Sequence, residues 1–242
     1  MSREKFKWTL NEGIKKRLGD GRYGRQRTIA VDDQMLVILH EPPKVDVNER
    51  IVSVFLREKD GSWLHNGQRK GEGMLQRLLE DYRQQFEQYE KKYNKAKTSD
   101  DLFLVLEGLN PVLRAIKNLE LALQDARQAC PDDKLALTMR DEASDCLRNF
   151  ELLAEEARLA LDYRMAKNAE TQIEQSQKMA KAQHKLNLMA AITFPMMALS
   201  SLFGMNLMSG LEDSPKILFY MVVTFGFVVG IGALRWVLKD RK

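Results

Sequence analysis

The sequence predicts an α-helical membrane protein in which a small N-terminal α/β part is followed by a long stalk helix that continues into the first of two C-terminal transmembrane helices. Three observations carry this expectation. Leu186 to Leu211 holds no charged residue, Ile217 to Leu234 forms a second apolar run after a short acidic loop, and no glycine interrupts the chain from Asp132 to Leu202. A spanning helix needs about 20 mainly apolar residues, and both runs reach or approach that length once Trp236, Val237 and Leu238 extend the second. Everything before residue 185 is too polar to enter a bilayer.

Bulk composition hides this division. Across 242 residues, 44% hydrophobic and 30% charged content matches an ordinary soluble domain, and the mean hydropathy of -0.40 averages a polar first three quarters with an apolar last quarter. The boundaries that follow are a basic arm over 1–25, an α/β region over 26–130, the stalk helix over 131–185, a first span over 186–207, an outer loop over 208–216, a second span over 217–238 and a basic tail over 239–242.

Residues 1–30 carry nine Lys/Arg against three Asp/Glu. Such an arm suits a solvated terminus, and anionic headgroups or nucleic acid are the alternatives; nucleic acid is not expected as a partner. Met1-Ser2-Arg3-Glu4-Lys5 has no apolar core behind it, so a cleavable signal peptide is not expected and the N-terminus is placed in the cytosol. Cys130 and Cys146 have no close pairing and read as reduced thiols, and His40, His65 and His184 form no metal-ligand pattern with them. No catalytic constellation or nucleotide-binding motif is visible, so the chain is not expected to be an enzyme and no cofactor is expected.

Thr28–Val31, Met35–Leu39 and Ile51–Leu56 are rich in β-branched and aromatic residues and are separated by turn residues, which predicts a sheet of about four strands. Asp60-Gly61, between Phe55 and Trp63, predicts a hairpin turn. After Gly71 and Gly73 the period becomes helical, with Met74, Leu75, Leu78, Leu79, Tyr82, Phe86 and Tyr89 on one face. Thr98-Ser99-Asp100-Asp101 offers an N-cap for a second helix carrying Leu102, Leu106, Leu109, Leu113, Ile116, Leu119 and Leu123, with a kink expected at Pro111 near Gly108. Cys130-Pro131-Asp132-Asp133 ends that helix and starts the stalk helix, with Pro131 near its first turn. The stalk carries an apolar stripe of Leu147, Phe150, Ala154, Ala157, Leu161 and Met165, and becomes polar all round from Lys167 to Lys185.

Charge sets the orientation of the two runs. Lys178, Lys181 and Lys185 precede the first, and Arg235, Lys239, Arg241 and Lys242 close the second, so both termini are expected in the cytosol and the loop outside. Phe219, Tyr220 and Trp236 fall where interfacial aromatics belong. Gly226 and Gly230 lie four apart, a close-packing signal, although glycine is also simply common in membrane helices. Two helices cannot enclose a pore, so transport would need several copies with one helix of each lining an axis. Gln183, Asn187, Ala190, Phe194, Met197 and Ser201 share one helical face that is uncharged throughout, and Asn206 follows it. An apolar constriction flanked by oxygen groups suits an ion path; on spacing alone, ordinary helix packing is the favoured account of the stripe.

At Gly204-Met205-Asn206 the residues reach a resemblance. A Gly-Met-Asn tripeptide directly after the first of two terminal spans, with Pro195 upstream, resembles the CorA family of magnesium channels and transporters. The well-matched part covers residues 180–240. The resemblance implies a homopentamer of an inner (cytoplasmic) or equivalent organelle membrane, with five copies of the first helix around a pore. It further implies a ring of Asn206 side chains that binds Mg²⁺ through its hydration shell at the outer mouth. Mg²⁺ prefers oxygen ligands and dehydrates reluctantly, so a neutral amide ring can select it without stripping its water. Gly204 would permit the tight turn and Met205 would pack to hold it.

Phe203 stands where tyrosine is common in the family, and Gly210 to Pro215 replaces its Met-Pro-Glu-Leu loop element. Glu212 and Asp213 could form an outer acidic ring that concentrates cations. Mg²⁺ is expected as cargo and as a regulatory ion, with Asp141, Glu142, Asp145, Glu155, Glu156 and Asp162 as candidate cytosolic acids. Two alternatives stand beside this reading: a transporter of Zn²⁺, Co²⁺ or Ni²⁺, against which the lack of Cys or His on the pore face argues, and a membrane-anchored helical scaffold that transports nothing.

Overall fold

A computed structural model describes residues 8–18, 23–43, 50–204 and 215–239. They divide into two compact units, the first ending at Ala166 and the second beginning at Lys167.

The first unit contains α1 (Glu12–Leu18), β1 (Arg27–Val31), β2 (Gln34–His40), β3 (Val52–Arg57), β4 (Trp63–His65), β5 (Gln68–Arg69), α2 (Gly71–Lys95), α3 (Ser99–Ala129) and the start of α4 (Lys134–Gly204). The strands form one antiparallel meander in the order β1-β2-β3-β4-β5. Five strands therefore stand where about four were expected. The fifth arises from Asn66-Gly67, whose positive φ angles of 46° and 83° turn the chain straight back after β4. The hairpin expected at Asp60-Gly61 is present, closed by donation from the Gly61 N–H to the Glu58 carbonyl at 3.0 Å.

Strand alternation sorts the sheet into two faces. Val37 pairs with Phe55, and Met35, Val37, Leu39, Phe55 and Trp63 pack against the long helices; Ile38 pairs with Val54, and Leu36, Ile38, Val54 and Leu56 pack beneath Ile14 of α1. Every residue of β2 is buried, as a central strand covered on both faces requires.

The helices interlock through residues three and four apart. Leu75, Leu79, Tyr82 and Tyr89 of α2, then Leu109, Val112, Ile116, Leu119, Leu123 and Ala126 of α3, share one core with Ala136, Met139, Ala143, Cys146, Phe150 and Leu153 of α4. This 3,4 alternation is the pattern that inserts side chains between facing helices. Thr98 caps α3 as expected, and its partner in a reciprocal capping box is Asp101. α3 is one helix through Pro111. Gly108 accommodates the ring of Tyr89, whose hydroxyl oxygen lies 2.8 Å from where a Cβ would stand.

The buried stripe of α4 starts and ends earlier than the sequence suggested. It runs from Ala136 to Ala157, and Met165 is exposed because α2 and α3 no longer cover the helix there. Pro131 lies before the helix, which begins at Lys134. Asp133 makes that start: its Oδ1 accepts from the Ala136 N–H at 2.9 Å, and its Oδ2 accepts from Arg57 Nε at 2.5 Å and Trp63 Nε1 at 3.3 Å. One carboxylate thus caps α4 and ties it to β3 and β4. Burial by itself raises this carboxyl, and the donations from Ala136, Arg57 and Trp63 together outweigh it and hold the group below the ordinary aspartate range. Burial pushes the Cys146 thiol up to about 11, and Cys130 is half-buried and raised for the same reason, so both are protonated and unreactive at neutral pH.

The second unit holds the rest of α4 and α5 (Lys216–Lys239). α4 continues without interruption through Pro195 to Gly204. Among the described residues, no helix is long and apolar enough to cross a membrane. The two expected spans are thus not found as such, and both include residues whose side chains lie outside the description, among them 202–207 in the first and 218, 233 and 234 in the second.

Two outcomes follow for the first unit. A Cβ on Gly71 would lie 2.6 Å from the Trp63 carbonyl carbon, whereas one on Gly73 would meet nothing within 4 Å. Gly71→Ala is therefore expected to destabilise the first unit by about 1–3 kcal/mol, and Gly73→Ala to leave it unchanged or stabilise it by up to about 1 kcal/mol, both read from thermal unfolding of the full chain. Asp133→Asn is expected to weaken the unit by about 1.5–3 kcal/mol at neutral pH. Because the folded-state pKa of Asp133 is depressed, that contribution is complete above the unfolded value of about 4 and is lost as pH falls below it, so the two chains converge in acid.

Candidate functional site

α4 and α5 of the second unit approach each other through two glycines. Gly226 and Gly230 are buried. A Cβ on Gly226 would stand 2.9 Å from Leu199 Cδ1, and one on Gly230 would stand 3.3 Å from the Ile192 carbonyl oxygen and 3.7 Å from its Cα. The close-packing signal in the sequence is thus realised, with Ile192, Met196 and Leu199 as its counterpart. Gly232 has nothing within 4 Å of a Cβ position, which sets it apart from the seam.

That seam determines what the rest of α4 presents. At about 100° per residue, the row Gln183, Asn187, Ala190, Phe194, Met197 and Ser201 is centred roughly 180° from Ile192, Met196 and Leu199. All six are exposed except Ala190, which is half-buried, and Phe194 and Met197 leave 66% and 64% of their surface open. The row runs from amides, through apolar side chains, to a hydroxyl. Its one internal polar contact joins Gln183 Nε2 to Asn187 Oδ1 at 3.2 Å. Thr193 and Thr224 lie off this row and donate to the carbonyls four residues back, at 3.0 and 2.8 Å.

Elsewhere the helix pair is coated with apolar surface. Phe219, Tyr220, Met221, Phe225 and Val228 of α5, with Leu186 and Met189 of α4, are all exposed. A continuous apolar coat of this kind requires a covering phase, either lipid or further protein.

Gly204 is the last residue of α4. Met205, Asn206, Glu212 and Asp213 lie outside the described residues, so the tripeptide is placed only by its sequence position directly after the helix end.

Comparison with known proteins adds distant structural likenesses. No protein-family model and no curated protein matches the chain. Among solved structures, the ZntB cytoplasmic domain from Vibrio parahaemolyticus aligns over 69% of this chain and 80% of its own, with 13% identity and a TM-score of 0.44. Full-length CmaX aligns over 94% of this chain and 82% of its own, with 15% identity and a TM-score of 0.44. The CorA magnesium transporter from Methanocaldococcus jannaschii aligns over 95% and 83%, with 14% identity and a TM-score of 0.40.

The candidate cytosolic acids are dispersed. Asp141 pairs with Arg140 at 2.9 Å and Glu142 with Arg83 at 3.0 Å, while Asp145, Glu155, Glu156 and Asp162 are exposed. Among the described residues, no group of three or more His, Cys, Asp or Glu side chains is placed to hold a metal ion within one chain.

Sequence reasoning missed two features. The Ile192, Met196 and Leu199 row was hidden because the whole run is apolar, although its 4,3 spacing matches the four-residue interval of Gly226 and Gly230. Asp133 shows in the sequence only as an acid near a helix start, and its double link to Arg57 and Trp63 has no local sequence signal.

Gly230→Leu is expected to force α5 away from the Ile192 backbone and to destabilise the second unit by about 1–3 kcal/mol. Gly232→Leu is expected to have no comparable effect. The contrast is read from thermal unfolding of the full chain in detergent.

Proposed function

We propose that this chain is one subunit of a passive transporter for divalent cations, with Mg²⁺ as its cargo, embedded in an inner or equivalent organelle membrane as a homopentamer. The observation that carries this reading is the uncharged row from Gln183 to Ser201, which the α4–α5 seam leaves uncovered and which leads directly to Gly204-Met205-Asn206.

In this reading α5 and the apolar coat of the pair face lipid, and both termini lie in the cytosol. Five copies of the row surround a water-filled path. Gln183 and Asn187 supply amides at the cytosolic end, Phe194 and Met197 form a constriction narrow and apolar enough to gate by dewetting, and Ser201 returns the path to polar character. A ring of Asn206 side chains then contacts the water shell of Mg²⁺ and exchanges hydrogen bonds with it without direct coordination. Glu212 and Asp213 raise the local cation concentration outside. Flux runs downhill under the membrane potential, at about 2.3 kcal/mol per elementary charge per 100 mV. The row has no thiolate or imidazole, which favours a hard cation over Zn²⁺, Co²⁺ or Ni²⁺. The chain acts as a transporter and not as an enzyme.

Asn206→Ala is expected to reduce Mg²⁺ uptake in proteoliposomes to the empty-vesicle level while the oligomeric mass stays that of five chains. Unchanged uptake would remove Asn206 from the filter, and a mass incompatible with five chains would favour a membrane-anchored scaffold.

A further inference from the structure

The first unit contains a cleft that neither transport nor packing uses. It lies where the end of β2 and the residue before β3 meet the middle of α3, and encloses about 240 Å³. That volume holds a compact organic molecule but not a peptide or a nucleic acid strand.

Its floor is polar, buried and fixed. Two buried polar residues, Gln26 and His40, lie here. Gln26 donates through Nε2 to the Ala115 carbonyl at 2.7 Å and accepts from the His40 N–H at 3.1 Å, and His40 Nε2 meets the Gly24 carbonyl at 3.0 Å. These bonds tie β1 and β2 to α3 and leave the floor no freedom to collapse into the space above it.

The walls combine charge with apolar surface. Pro42, Ile51 and Pro111 form the apolar part, and Arg50, Arg114 and Asn118 supply donors. Among the described residues neither arginine has a carboxylate partner within salt-bridge distance. Among the described residues the cleft has one carboxylate, Glu41, against the two guanidinium groups. Burial first, and then the nearby Arg50 charge, lower the pKa of His40 against the opposing pull of the Gly24 carbonyl, so the floor carries no charge of its own at neutral pH. Two guanidinium groups thus face a pocket with a partly apolar lining. Guanidinium forks match carboxylate and phosphate oxygens two at a time.

We propose that this cleft binds a small organic anion, a carboxylate or phosphate monoester on an apolar body, with Arg50 and Arg114 holding the anionic head and Ile51 and Pro111 the body. The ligand bridges the sheet to α3 and stabilises the first unit by mass action.

Calorimetric titration of the full chain in detergent tests this with four probes. Benzoate and phenyl phosphate share an apolar body and differ in the head, inorganic phosphate has the head alone, and benzyl alcohol has the body without charge. Saturable binding of benzoate or phenyl phosphate, one per chain, is expected, and which of them binds more tightly identifies the head. Inorganic phosphate is expected to bind more weakly than phenyl phosphate, and benzyl alcohol not at all. Arg50→Gln and Arg114→Gln are each expected to weaken binding by ~10-fold or more. Both arginines are exposed, so the unliganded variants should melt as the parent does; if either does not, Asn118→Ala, also on the wall, is expected to weaken binding in its place. The proposal is overturned if neither anion binds, if benzyl alcohol binds as well as the anions, or if the folded variants bind as the parent does.

Discussion

The approach of α5 to the Ile192 backbone at Gly230 is the contact on which the functional reading depends. A Cβ there would stand 3.3 Å from a carbonyl oxygen, tighter than an ordinary contact, so glycine lets the two helices lie this close without a shift. Close approach at one row leaves the opposite row uncovered. Gln183, Asn187, Ala190, Phe194, Met197 and Ser201 become a surface for water or for other copies because α5 is held elsewhere. The seam therefore settles a question that spacing leaves open, namely whether this row packs against α5 or faces away from it.

The first unit obeys a different constraint. Its three long helices interlock through 3,4-spaced side chains, and its sheet is covered on both faces, so the apolar residues of those rows are committed to packing. Asp133 concentrates several demands in one group: it caps α4, accepts from Arg57 and Trp63, and is only 7% exposed. A buried carboxylate is tolerated when its oxygens are fully engaged, and here three donors engage them. Arg164 performs a related task at the other end of the bundle, donating to the Thr98 and Ala96 carbonyls at 2.9 and 3.0 Å and so fixing the α2–α3 turn.

Much of this was legible in the sequence, for identifiable reasons. The helix beginnings at Thr98 and near Asp133 follow from side chains that cap backbone groups locally, and the hairpin at Asp60-Gly61 from local turn chemistry. The uninterrupted course of α4 follows from the absence of glycine and the tolerance of a single proline. The fifth strand escaped because two residues after Asn66-Gly67 are too few to show a period. The stripe of α4 was displaced because a helix rich in alanine and leucine offers several plausible rows, and only the packed position of α2 and α3 selects among them. The cleft beside Arg50 and Arg114 was invisible because its walls come from residues more than sixty positions apart.

Accessibility of the uncovered row tests the account most directly. Single cysteines placed in turn at positions 183 to 201, in a chain with Cys130 and Cys146 replaced, would be exposed to a water-soluble, membrane-impermeant thiol reagent in intact proteoliposomes. The account predicts modification at 183, 187, 190, 194, 197 and 201, slowed by Mg²⁺, with 192, 196 and 199 protected. Equal labelling of both rows, or protection of the Gln183–Ser201 row with labelling of the seam, would contradict it.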